Sequence, residues 1–67
     1  MIKVVINGVS QEISAAATIQ DYLEGMGFVG NYVAVAINGN IIDRQNFKGI
    51  YFSHNDTVEI VRPVGGG

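Results

Sequence analysis

The chain predicts an α+β fold, a four- to five-stranded mixed sheet covered by one main helix. Three observations predict it. Two Asn-Gly dipeptides, Asn7-Gly8 and Asn38-Gly39, each sit between strand-like runs, and Asn-Gly tolerates the positive φ that a two-residue hairpin needs at both central positions. One stretch, Thr18 to about Met26, carries apolar residues at helical spacing. The first and last apolar runs, Ile2–Ile6 and Val58–Val61, are strand-like and flank that helix in sequence.

Each element follows in order. Ile2, Val4 and Ile6 share one strand face; Lys3 and Val5 share the other. Val9, Gln11 and Ile13 then alternate with Ser10, Glu12 and Ser14, which completes an N-terminal hairpin. Thr18 opens the helix, with Asp21 three residues on as an approximate capping box. Ile19, Tyr22, Leu23 and Met26 predict one buried helix face. Gly27 is the stop signal, and Phe28 to Asn31 form a connector. Val33 to Ile37 is a strand with large residues on one face and alanines on the other. After the second turn come Asn40-Ile41-Ile42, then a short turn or helical kink from Asp43 to Gly49 carrying Phe47. Ile50 to Phe52 predicts a short strand or extended segment, and Ser53 to Asp56 a turn into the last strand. There Val58 and Ile60 face inward while Glu59 and Val61 face outward. The amphipathic helix must cover one face of the sheet. With the first and last strands paired centrally they run parallel, and the helix lies in the crossover. That is the β-grasp, or ubiquitin-like, arrangement, assigned to residues 1–64, with residues 65–67 as a flexible glycine tail.

Composition excludes several functions. Sixty-seven residues make one domain at most. Hydrophobic residues at 48% suffice for a small core, and 15% charged residues are too few for a disordered chain. Lys3, Arg44, Lys48 and Arg62 are scattered on a chain of net charge −2, so no basic stripe for a nucleic-acid partner exists. The apolar runs are too short to cross a membrane. No charged leader with an apolar segment opens the chain, which leads us to expect a cytoplasmic protein. The absence of cysteine excludes disulfides, thiolate metal sites and a cysteine nucleophile.

The candidate site is the glycine tail. Gly65, Gly66 and Gly67 follow Arg62-Pro63-Val64. Five residues from Pro63 can extend about 16–18 Å at ~3.3–3.6 Å each. Glycine lacks a Cβ, so such a tail fits a narrow channel in a partner; a frayed terminus or linker has the same composition. Val5, Val61, Ala34 and Ala36 face away from the helix in this scheme. Parallel pairing of the outer runs is expected to bring Val5 and Val61 together as an apolar docking patch beside the tail. Arg62 can pair there with a partner's carboxylate or remain solvated. His54 lies in a turn without a nucleophile beside it and reads as an exposed loop histidine. Asp56 reads as a turn-shaping residue. Asp43, Asp56 and Glu59 lack metal-ligand spacing, and the six aromatic residues read as packing. No nucleophile–base set is visible, so no enzyme is expected.

The apolar first strand ending at Asn7, Thr18 through Leu23, Val33-Ala34-Val35-Ala36-Ile37-Asn38-Gly39, Ile42-Asp43-Arg44, Asp56 through Val61 and the glycine end together resemble the ThiS family, the ubiquitin-like sulfur carriers of the thiamin pathway. Asn55 departs from the glycine usual there, but asparagine tolerates the same backbone. The resemblance implies that an E1-like adenylating enzyme uses ATP to activate Gly67. It further implies that a sulfur donor protein converts Gly67 to a thiocarboxylate, from which thiazole synthase takes sulfur. Gly65, Gly66 and Val64 then serve as the tail, and the chain binds no cofactor itself. Two alternatives stay open: a sulfur carrier for molybdopterin synthesis, like the small subunit of molybdopterin synthase, and a ubiquitin-like binding module whose tail is never activated.

Overall fold

Both Asn-Gly dipeptides form hairpins in the computed structural model, which describes residues 1–28 and 33–62. Strand β1 (Ile2–Ile6) pairs antiparallel with β2 (Val9–Ile13), with Ile6 opposite Val9 and Ile2 opposite Ile13. Between them Asn7 and Gly8 take φ of 52° and 83°. Strand β3 (Ala34–Ile37) and β4 (Asn40–Ile42) repeat the arrangement, with Asn38 and Gly39 at φ of 53° and 84°. Positive φ at both turn positions matches the twist of the flanking strands, which fixes the register of each hairpin.

Helix α1 (Ile19–Gly25) separates the hairpins. Its capping box is complete: the Asp21 N–H donates to Thr18 Oγ1, and the Thr18 N–H donates to Asp21 Oδ2, each at 3.1 Å. The next free amides are satisfied from outside the helix. Ile19 N–H donates to the Ile50 carbonyl at 2.9 Å, and Gln20 N–H to the Phe47 carbonyl at 3.0 Å. At the other end Gly27 adopts φ 86°. Its N–H reaches the Glu24 carbonyl at 3.1 Å, and the Phe28 N–H reaches the Leu23 carbonyl at 2.9 Å. These two bonds are a Schellman motif, which needs the left-handed residue that glycine supplies.

Strand β5 (Thr57–Val61) joins the two hairpins into one sheet of order β2-β1-β5-β3-β4. It runs parallel to β1, with Val5 beside Thr57 and Ile6 beside Val58, and antiparallel to β3. This is the expected β-grasp arrangement. Ile19, Val4, Val35 and Val58 are fully buried between helix and sheet, with Leu23, Phe47 and Phe52 packed around them. Tyr22 meets Phe52 edge-on, the ring centroids 5.8 Å apart.

Two local expectations are corrected. Met26 is 56% exposed and caps the helix rather than completing its buried stripe. The short helix ends at Gly25, so Met26 already sits past its last turn. Of the two readings of Ile50 to Phe52, a short strand or an extended segment, the strand is not formed: the Ile50 carbonyl caps α1, and Tyr51 makes only an isolated bridge to Thr18. The preceding 3₁₀ turn, Arg44–Asn46, delivers Phe47 to the core as the kink predicted. Residues 29–31 of the connector lie outside the described residues.

Candidate functional site

The site is the end of β5, the strand from which residues 63–67 continue. Two asparagines pin this strand. Near its start, Asn38 Oδ1 accepts the Thr57 N–H at 2.9 Å, while the Asn38 N–H donates to the Thr57 carbonyl at 2.7 Å. Near its end, Asn7 Oδ1 accepts the Ile60 N–H at 2.8 Å, and Asn7 Nδ2 donates to the Ile60 carbonyl at 3.0 Å. Both asparagines come from the Asn-Gly turns. The residue type chosen for its tolerance of positive φ therefore also carries the carboxamide that holds β5.

The turn before β5 is fixed with equal care. Asp56 is buried, and its Oδ2 accepts the Ser53 N–H at 2.7 Å. Its Oδ1 accepts from Asn38 Nδ2 at 3.0 Å. Asp56 thus shapes the turn, as its type and position predict. His54 is exposed, and its Nδ1 accepts the Lys3 N–H at 3.1 Å, while the Asn55 N–H donates to the Lys3 carbonyl at 2.7 Å. The histidine ties the turn to β1. Asn55 takes φ 71°, the left-handed backbone expected of it. Among the described residues no three histidine or acidic side chains gather where they could hold a metal ion. Among the same residues no helix is long and apolar enough to cross a membrane.

The open face of the sheet carries an apolar patch whose membership differs from expectation. Val61 is 59% exposed and lies opposite Ala34; Ala36 lies opposite both Glu59 and Ile41. These residues line a shallow depression of about 200 Å³. Val5 does not join Val61. It pairs with Thr57, four residues earlier on β5, which separates the two valines by roughly 13 Å at ~3.3 Å per residue. Sequence periodicity assigned the face correctly but not the stagger. Ile41, 82% exposed, takes the place that Val5 was expected to fill. Its membership was readable: a two-residue turn sets Ala36 opposite Ile41, so both share a face.

Arg62 is also displaced from that patch. Its guanidinium lies 4.6 Å from the centroid of the Phe28 ring, and Phe28 packs against the core on the helix side. One residue past Val61, alternation has moved to the other face. Phe28, Asn7 and Ile60 line a second groove there, of about 240 Å³. Val64, Gly65, Gly66 and Gly67 lie outside the described residues.

A family model described as the ThiS family matches residues 4–67. The chain belongs to the ThiS family. The solved structure of the thiamine biosynthesis protein ThiS from Geobacter metallireducens superposes with a TM-score of 0.79 at 25% identity, over 98% of this chain and 100% of that one. A thiazole synthase of Magnetococcus marinus is 31% identical over 65 residues, 97% of this chain. The uncharacterised protein ycf40 of Porphyra purpurea is 32% identical over 66 residues, 98% of this chain and 93% of its own length. This ThiS-family chain spans about a fifth of the length of the thiazole synthases that it matches, 20% in each of two.

Proposed function

We propose that this ThiS-family chain is a sulfur carrier of thiamin biosynthesis, a protein substrate of partner enzymes rather than an enzyme. The observation that carries the reading is the family match, whose range, residues 4–67, takes in the pinned strand β5 and the glycines at 65–67. The reacting group is the α-carboxylate of Gly67, ionised at neutral pH and a poor electrophile in that form. An E1-like adenylating enzyme supplies ATP. A carboxylate oxygen bonds the α-phosphorus while the bond to pyrophosphate breaks, leaving an acyl adenylate. Sulfide, supplied as HS⁻ with its sulfur already at the reduced level, then bonds the carbonyl carbon and gives up its proton to solvent. AMP leaves with the electron pair, and Gly67 ends as a thiocarboxylate without net oxidation or reduction. Thiazole synthase takes up that sulfur; the likeness to thiazole synthases over the whole of this domain supports the pairing. The chain itself contributes the tail and docking surface, with Ala34, Ala36, Ile41 and Val61 as the apolar part of that surface.

The test is intact mass measurement after incubation with an E1-like adenylating enzyme, Mg·ATP and sulfide. The expected result is a mass gain of one sulfur-for-oxygen exchange at the C-terminus. Deleting Gly66 and Gly67 together, or adding an alanine after Gly67, abolishes the gain. A wild-type chain that never gains the mass, or a double deletion that gains it equally, refutes the carrier and leaves a binding module.

A further inference from the structure

The exit of β5 is held differently on its two flanks. On one side the β3 ladder reaches the end of the strand, with Ala34 opposite Val61. On the other side the parallel ladder stops early, because β1 ends at Ile6 and Asn7 turns away at φ 52°. The Asn7 carboxamide takes over at that point. Its donor and acceptor meet the carbonyl and N–H of Ile60, so a side chain supplies the pair that further backbone would have offered. Two residues on, Arg62 rests on Phe28. Phe28 is itself fixed by the N–H bond that closes the Schellman motif of α1. The last described residue is therefore tethered to the helix as well as the sheet.

We propose that Asn7 and Phe28 are positioning residues: they fix the position and direction of the end of β5, Ile60 to Arg62, to which residues 63–67 are joined in sequence. This inference rests on the sulfur-carrier reading. A reaction between a tethered carboxylate and a bound nucleotide depends on how often the two meet in reactive geometry. Loosening Ile60 and Arg62 lets the end of β5 take more orientations and lowers that frequency. Neither residue belongs to the open-face patch; both line the groove on the helix side. Encounter with the partner is therefore left intact, and the loss falls on kcat rather than KM.

The experiment is ATP–pyrophosphate exchange catalysed by an E1-like adenylating enzyme, with this chain as the varied substrate. Rates are expressed per folded molecule, measured by circular dichroism at the assay temperature. Asn7→Gly keeps the positive φ and removes the clamp; Phe28→Leu keeps apolar bulk and removes the ring; Phe28→Tyr keeps the ring. Asn7→Gly and Phe28→Leu are each expected to lower kcat by about tenfold, since small misplacements in such reactions cost up to ~100-fold. KM stays within about twofold, and Phe28→Tyr retains the wild-type rate. Unchanged kcat per folded molecule in both disruptive variants overturns the inference while the carrier reading stands. A rise in KM alone, or a Phe28→Tyr rate as low as that of Phe28→Leu, also overturns it. Failure of the wild-type chain to be activated overturns the carrier reading, and this inference with it.

Discussion

Replacing Asp56 by alanine tests whether the turn before β5 is held by its carboxylate. The side chain is only 8% exposed, and it accepts from the Ser53 N–H at 2.7 Å and Asn38 Nδ2 at 3.0 Å. Hydrogen bonds to a charged group contribute about 1.5–3 kcal/mol each, before the cost of keeping the charge from water is subtracted. Alanine leaves both donors without that partner. Set against the burial cost of the carboxylate, a net loss of about 2–4 kcal/mol is expected. A chain of this length has roughly 3–10 kcal/mol in total, so the variant approaches the limit of folding. In thermal melts the loss corresponds to roughly 8–30 °C, at ~4–8 °C per kcal/mol for a domain of this size. Asp56→Asn keeps one acceptor oxygen and turns an N–H group toward one of the two donors, so it falls between alanine and wild type. Urea melts give the free energies, and a cycle with Asn38→Gly, which keeps the turn backbone, isolates the Asn38–Asp56 pair. A loss below about 0.5 kcal/mol in Asp56→Ala, the level of an ordinary surface substitution, would refute the reasoning.

Three further outcomes are expected. Leu23→Ala removes a buried side chain from the middle of α1 and destabilises by about 2–5 kcal/mol in denaturant melts. Thr18→Ala dismantles the capping box and costs about 1 kcal/mol by the same assay, with the sheet unchanged. Ile41→Asp and Val61→Asp leave the free domain folded but weaken binding to the adenylating partner by about tenfold in titration calorimetry, equivalent to ~1.4 kcal/mol. Val5→Asp does so less, because Val5 lies beside Ser10 and Thr57 rather than in the patch.

Sequence reading worked best where structure is decided within a few residues. Asn-Gly fixes a hairpin and its register by backbone chemistry alone, and Thr18 with Asp21 marks a helix start at a spacing of three. Residues far apart in sequence were harder. No turn connects β1 to β5, so nothing local specified that Val5 sits beside Thr57 and not Val61. Parallel neighbours carry no such turn in general. The Asn7–Ile60 clamp spans 53 positions and leaves no local pattern, since the same asparagine was already explained by its turn. Arg62 was placed by the rule of alternation only once Phe28 showed which face it meets. Ile50 looked like strand because it is β-branched and apolar, yet its carbonyl caps a helix start brought close by the fold.

The central position of β5 also has a mechanical meaning. A pull applied at Arg62 along the axis of β5 is borne by the strands on both sides of it. The hydrogen bonds of β5 to β3 run across that axis, and those to β1 are slanted. Such a pull loads the rungs on both flanks in shear and together, whereas a strand at the sheet edge could peel away one rung at a time. The domain therefore behaves as an anchor: traction at Arg62 meets the resistance of both hairpins at once.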